Sequence, residues 1–182
     1  MPSYNVLDFP VPEQLLRSAK THDERNLWDM SHQAPTLLVF LRHFGCTFCR
    51  ESLVDIREQR KEIEADAPNI CFVHLSPESR AKEFFQKYQL ADVARISDPE
   101  KKLYHAFGLE RGSLGQVFGV KSWTEGFRAG ILRGLGVGTK AEGDGWQMPG
   151  VFLLDEGLVM HGYRHQSVAD RPDYVSLAGC GC

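Results

Sequence analysis

The feature that most narrows the possible folds is a continuous apolar run, Thr36 to Arg42 (TLLVFLR), followed shortly by Cys46-Thr47-Phe48-Cys49. A run of this kind, without polar alternation, is the pattern of a central strand covered on both faces. Beyond it, Cys49, Leu53, Ile56, Arg60 and Ile63 recur at spacings of four and three, which gathers mostly apolar groups on one face of a helix. A buried strand therefore turns directly into a helix, and the cysteines stand at the junction.

The alternation continues downstream. Ile70 to Leu75 (ICFVHL) reads as a second buried strand, and Ser76-Pro77-Glu78 as an N-cap with proline at the first helical position. Ala81, Phe84, Phe85 and Tyr88 form the apolar stripe of that helix. Val93 to Ile96 is a short strand, and Asp98-Pro99-Glu100 supplies another cap and proline before Leu103, Tyr104 and Phe107. Strand and helix thus alternate in a way that predicts an α/β chain with a largely parallel sheet flanked by helices. Residues 112–147 interrupt the pattern. Trp123, Phe127, Ile131 and Leu135 lie four apart among glycines that weaken a helix, so one helix and a loose loop are expected. Val151 to Leu154, the turn Asp155-Glu156-Gly157 and Leu158 to Tyr163 predict an antiparallel β-hairpin, which makes the central sheet mixed, and a last helix covers Pro172 to Leu177. The expected organisation is an N-terminal extension over 1–35 with one short helix, one domain over 36–178, and a flexible, glycine-rich tail over 179–182 that carries Cys180 and Cys182.

Composition excludes several function classes. A chain of 182 residues, 42% hydrophobic, can bury one substantial core. With 21 basic and 24 acidic side chains the net charge is -3, so nothing global draws it to nucleic acid or to anionic lipid. Asp8, Glu13 and three prolines occupy the N-terminus, where a secretory signal needs a basic start and an apolar run. Runs such as Leu37 to Leu41 are far shorter than the roughly 20 residues that span a bilayer. The expectation is a soluble, cytoplasmic protein with no membrane or nucleic-acid partner; a homodimer is left open. Five cysteines are odd in number and too few for a disulfide scaffold, which leaves reactive thiols.

The physics of Cys46 and Cys49 follows from their place. Two intervening residues bring both sulfurs within bonding reach on one helical turn, so the pair can cycle between dithiol and disulfide. The unpaired N–H groups of the first turn stabilise a thiolate there. Arg42 and His43 upstream and Arg50 downstream add positive charge. Cys46, at the helix start, is expected to be the more exposed. Two other classes of reading stand beside this one. His43, Cys46 and Cys49 with the tail's Cys180 and Cys182 offer soft ligands to zinc. A redox-inactive binding module on the same fold is the other. Cys71 lies in an apolar run and reads as inert core; His22, His32, His74, His105, His161 and His165 read as surface or satisfied core residues. Lys121, Arg128, Arg133 and Lys140 read as a solvated helix face.

The segment FLRHFGCTFCRE, residues 40–51, closely resembles the signature of the AhpC/TSA-type peroxiredoxin-like family, which includes selenoprotein-L-like and peroxiredoxin-like 2 proteins. SDPEKKLYHAFGLERG (97–112), the aromatic-containing insert after it, and HGYRHQSVADRPDYVSL (161–177) resemble that family in order and spacing. The resemblance covers about residues 36–178. It implies a thioredoxin-like fold, reduction of peroxides or disulfides through Cys46 and Cys49 with an external thiol donor such as thioredoxin or glutathione, and no metal or organic cofactor. It also implies Arg42, His43 and Thr47 as supporting residues and Pro149 as a cis-proline facing the pair. Cys180 and Cys182 would be a second resolving pair, or idle thiols.

Two departures from the family pattern matter. Typical members carry threonine three residues before the attacking cysteine, a place held by Cys46 if Cys49 attacks. Helix-start exposure favours Cys46 as attacker and family alignment favours Cys49. Typical members also hold an arginine just before the strand that here reads VFLLD, where this chain has Pro149 and Gly150. Arg42, Arg50 and Arg111 are the candidates to replace it.

Overall fold

A computed structural model describes residues 10–118 and 144–179. Five strands form one mixed sheet in the order β3-β2-β1-β4-β5. Strand β1 (Thr36–Phe40) pairs in parallel with β2 (Asn69–His74), and β2 in parallel with β3 (Ala94–Ser97). On its other side β1 pairs antiparallel with β4 (Gly150–Asp155), which closes a hairpin with β5 (Leu158–Arg164). Helix α3 (Thr47–Asp66) connects β1 to β2, and α4 (Glu78–Lys87) connects β2 to β3. The remaining helices are α1 (Glu13–Ser18), α2 (Leu27–Gln33), α5 (Lys102–Ala106), α6 (Leu114–Phe118) and α7 (Tyr174–Gly179).

The unbroken apolar run of β1 has a simple cause. Leu37, Val39 and Leu41 enter one core with Leu53 and Ile56 of α3, Phe85 of α4 and Leu177 of α7. Leu38 and Phe40 enter a second core, on the opposite face, with Leu16 of α1, Met30 of α2 and Tyr104 of α5. Every position of β1 is buried, so no polar alternation can survive in its sequence. Each such leucine or phenylalanine contributes about 1.5–3 kcal/mol by leaving water.

The segment before β1 contains two helices where one was expected, and both contribute to the second core: Leu16 and Leu27 are wholly buried. Helix α2 also receives the β4–β5 turn. There Ser31 accepts from Glu156 N at 3.0 Å and, through its hydroxyl, from Gly157 N at 3.1 Å. Glu156 and Gly157 take φ of 47° and 76°, the left-handed pair that a two-residue hairpin turn requires. A side chain at Gly157 would also strike the Trp28 ring.

Capping differs in detail from the sequence reading. Helix α4 begins at Glu78 with Pro77 as its N-cap, one residue later than Ser76 suggested. The Ser76 carbonyl instead accepts from Ser97 Oγ at 2.8 Å and lies 2.9 Å from His74 Nδ1. Helix α5 begins at Lys102 with Lys101 as its N-cap, three residues later than Asp98 suggested, although the Asp98 carboxylate still accepts from Lys102 N at 3.0 Å and Leu103 N at 2.8 Å. The final helix starts at Tyr174, two residues beyond Pro172. The stretch holding Trp123, Phe127, Ile131 and Leu135, its basic residues, and Cys180 and Cys182 lie outside the described residues. Among the described residues, no helix is long and apolar enough to cross a membrane.

Candidate active site

Cys46 is the N-cap of α3, and Cys49 lies three residues on, within its first turn. The turn that delivers them is closed by Cys46 N donating to the His43 carbonyl at 3.0 Å. It is pinned by Phe44, whose ring stacks on Phe84 at 4.1 Å and faces His74 at 5.3 Å. Arg50 Nε donates to the Phe44 carbonyl at 3.1 Å. Below the turn, the buried Tyr104 hydroxyl donates to the carbonyls of Leu41 and Val73, tying the C-terminal ends of β1 and β2 together.

Arg42 connects the two sulfurs. Its backbone N donates to Cys49 Sγ at 3.3 Å, and its Nη1 to Cys46 Sγ at 3.5 Å. Its Nη2 donates to the Gly145 carbonyl, and its Nε, fully buried, has no hydrogen-bond partner. The side chain is 5% exposed, so its charge acts in a medium of low polarity. Of the three arginines considered to replace the one missing before β4, Arg42 is the one whose guanidinium reaches a cysteine sulfur. Arg50 and Arg111 are engaged elsewhere: Arg111 Nε lies 3.1 Å from Asp144.

The thiols differ sharply. Cys46 is pushed down to about 6, first by the hydrogen bond it accepts from Cys49, then by Arg42 and by the facing Phe48 and Cys49 N–H groups, all against the cost of burial. Neither N–H closes a full capping bond to the sulfur. Cys49 is pushed well up, because it donates to Cys46 and is buried. The two cysteines are not disulfide-bonded, and their thiols are shifted in opposite directions by the bond between them. Cys71, in the middle of β2, is also pushed up, by burial.

Several expectations are corrected. Cys46 is the more exposed of the two cysteines, as expected, but both are buried, at 6% and 3%. His43 is half-buried and pushed down to about 4 by burial, then by Arg42 and Arg50, so it is neutral at neutral pH and adds no positive charge. Thr47 opens α3 at the expected place. Pro149 does line the recess beside Cys49, but its peptide bond is trans, as are all those described. Its flanks explain the isomer: Met148 N donates to the Glu110 carbonyl and His165 N to the Pro149 carbonyl, at 3.1 and 3.3 Å, and the trans form is preferred by about 0.5–1 kcal/mol without other demands. His32 and His105 lie at the surface as expected, whereas His22, His74 and His161 each hold one buried ring nitrogen without a hydrogen bond, that of His74 lying 3.9 Å from Glu78. Among the described residues no three His, Cys, Asp or Glu side chains gather to hold a metal, so His43, Cys46 and Cys49 are not a three-ligand set.

Other contributors carry no local sequence signal. Glu51 and Asp55, buried on α3, pair with Arg171, at 3.2 and 2.6 Å, from 116 residues away in the case of Asp55. Phe48, Trp146, Met148 and Val168 form an apolar wall beside the pair. Trp146 is held in that wall by its carbonyl, which accepts from Gly112 N at 2.7 Å, and by Asp144, whose carboxylate meets Lys101 Nζ at 2.5 Å.

Peroxiredoxin-like 2C of Bos taurus is 28% identical over 147 residues, 75% of this chain and 63% of that protein. Prostamide/prostaglandin F synthase of Salmo salar is 29% identical over 104 residues, 56% and 50% of the two chains. The chain thus spans about half to two thirds of the curated relatives it matches. In three dimensions it superposes on peroxiredoxin Q of Xanthomonas campestris with a TM-score of 0.61 at 16% identity, covering 97% of this chain and 94% of that one. The thioredoxin-like fold of peroxiredoxins is therefore this chain's fold. The family described as AhpC/TSA antioxidant enzyme matches residues 55–167, which begins after the cysteine pair and takes in Pro149 and the 161–167 part of the C-terminal motif. With that match over more than half its length, the chain belongs to the AhpC/TSA antioxidant enzyme family.

Proposed function

We propose that this chain is a thiol peroxidase in which Cys46 attacks and Cys49 resolves. The observation that carries the reading is the asymmetry at the N-terminus of α3: Cys46 is the sulfur faced by Arg42 Nη1 and by the Cys49 thiol, and only it ionises near neutral pH. The Cys46 thiolate attacks one oxygen of a peroxide; the O–O bond breaks, the alcohol or water leaves, and Cys46 becomes a sulfenic acid. Cys49 then displaces the sulfenic hydroxyl as water and forms the Cys46–Cys49 disulfide. An external thiol donor, such as thioredoxin or glutathione, returns both to thiols, which suits a reducing compartment such as the cytoplasm. A disulfide substrate would be attacked in the same way.

Arg42 takes the role of the arginine absent before β4: its guanidinium stabilises the thiolate and the negative charge that develops on the peroxide oxygens. The supporting positions are then Arg42 for charge, Thr47 and His43 for the turn, and Pro149 for the wall behind Cys49.

The test is peroxide consumption coupled to a thiol donor, together with dimedone trapping of sulfenate. Cys46→Ser is expected to lose turnover by at least about 10³-fold, as removal of a nucleophile does. Cys49→Ser should retain the first attack and accumulate sulfenate at Cys46. Dimedone labelling of Cys49 in the Cys46→Ser protein would reverse the assignment, and turnover surviving in the double variant would refute it.

A further inference from the structure

Cys49 has a second side. Away from Cys46 it lines a recess about the size of one water molecule, shared with Ser52, Pro149, His165, Asp170 and Tyr174. Three of these come from the motif HGYRHQSVADRPDYVSL, which the mechanism above does not use. His165 is 8% and Asp170 9% exposed. Asp170 accepts from Gln166 N at 2.6 Å, Ser167 N at 2.9 Å and Ser167 Oγ at 3.1 Å, which fixes the loop that carries both residues. The His165 ring packs edge-on against Tyr163 at 5.3 Å, and its backbone N is bonded to Pro149. Tyr174 closes the recess from α7, hydrogen-bonded to Ser52 on α3. The ionisable groups around Cys49 are thus Cys46 and Arg42 from the turn, Tyr104 from α5, His165 and Asp170 from the loop after β5, and Tyr174 from α7. Of these, His165 is the side chain that offers a ring nitrogen able to accept a proton and, once protonated, to donate it.

The chemistry creates a need at this spot. Cys49 must lose its proton to become a nucleophile, yet it is the thiol held protonated in the reduced pair. On reduction it leaves as a thiolate that must be protonated again. We propose that the recess behind Cys49 is a proton relay in which His165 takes the resolving thiol's proton and returns one on reduction. The inference rests on the Cys46–Cys49 reading above. In the forward step the Cys49 S–H bond breaks toward His165 through the water-sized recess while the S–S bond forms and the S–O bond of the sulfenic acid breaks. His165 holds that proton, the departing hydroxyl takes one from solvent and leaves as water, and the Cys49 sulfur is oxidised as the Cys46 sulfur is reduced. On reduction a donor thiolate attacks Cys46, the S–S bond breaks, and the Cys49 thiolate draws a proton back through His165.

The experiment mixes the pre-reduced full-length protein with stoichiometric hydrogen peroxide across a pH series. It reads peroxide loss, dimedone-trappable sulfenate and free thiols separately. In His165→Gln, peroxide loss should be unchanged, whereas the sulfenate should persist about 100-fold longer, the lower end of what acid–base assistance supplies. Disulfide formation in the variant should climb with pH where the parent's is level. A variant that keeps the parent's far-UV circular dichroism together with its sulfenate lifetime and pH profile overturns the proposal. His165→Asn is the second variant. If neither folds, the parent decides: its disulfide-forming step should slow by about twofold or more in deuterated solvent, and no slowing overturns the relay. A parent in which no sulfenate forms overturns the underlying reading and the relay together, whereas sulfenate that forms and resolves at equal rates in parent and variant removes the relay alone.

Discussion

Cys46 and Cys71 are the same residue at almost the same burial, 6% and 0% exposed, yet the thiol of one is pushed down to about 6 and that of the other is pushed up. Cys71 sits in the middle of β2, paired with Leu38 on one side and Ala94 on the other, among apolar side chains of the second core. Its thiol has only the Phe72 carbonyl to approach, at 3.9 Å, which cannot stabilise a thiolate. Cys46 meets a donated S–H, a guanidinium and the open end of a 20-residue helix. Burial penalises the thiolate at both sites. What differs is whether the fold supplies donors at the sulfur, so burial by itself says nothing about the reactivity of a cysteine in this chain.

The largest consequence is a rate difference. With alkylating reagent at neutral pH, native Cys46 should react at least about 10³-fold faster than native Cys71, because the thiolate is the reacting form. The Cys46 rate should rise as pH increases through about 6 and level off above it, since deprotonation there is already complete near neutrality. Peptide mapping of the modified protein reads both; comparable labelling of Cys71 in the folded protein would dissolve the contrast.

Next in size is the contribution of the cation. Arg42→Met keeps much of the side chain's bulk and removes its charge, and should move the Cys46 titration upward by about 1–2 units, in the range for loss of one close opposite charge. Thiolate absorbance followed against pH measures it, and reactivity at neutral pH should fall about two- to tenfold. An unmoved titration would assign the acidity to the Cys49 bond and the helix end alone. Cys71 should not respond to Arg42→Met.

The smallest effect belongs to Cys71 itself. Cys71→Ala removes one buried sulfur from a packed strand and should lower unfolding stability by about 1–2 kcal/mol while leaving peroxide consumption intact. Chemical denaturation and the coupled assay, run on the same preparation, test both halves of that statement.

The legibility of the site follows the same division. The junction of β1, turn and α3 was readable because each part has a local pattern: an apolar run, then cysteines at a helix start, then an apolar stripe. The hairpin was readable from its turn, Asp155-Glu156-Gly157, between two largely apolar segments. The acidity of Cys46 was legible in direction but misattributed in part. His43 stands next in sequence to Arg42 and reads as a second positive charge, yet the half-buried ring loses its proton because desolvation outweighs proximity. Residues 10–35 read as an extension because their apolar residues are scattered among charges. Only the tertiary structure shows Leu16, Leu27 and Met30 closing the second core.

Local sequence therefore determined where the cysteine pair stands, since adjacent residues fix a strand, a turn and a helix start. It also determined that two sulfurs share one helical turn. The tertiary structure decided that the two thiols shift in opposite directions, that Arg42 is the cation at Cys46, and that a recess with His165 lies beside Cys49. Those outcomes depend on donors and charges brought together from distant parts of the chain, and on the loss of water around them. Arg171, reaching Asp55 across 116 residues, shows the same dependence on the closed fold.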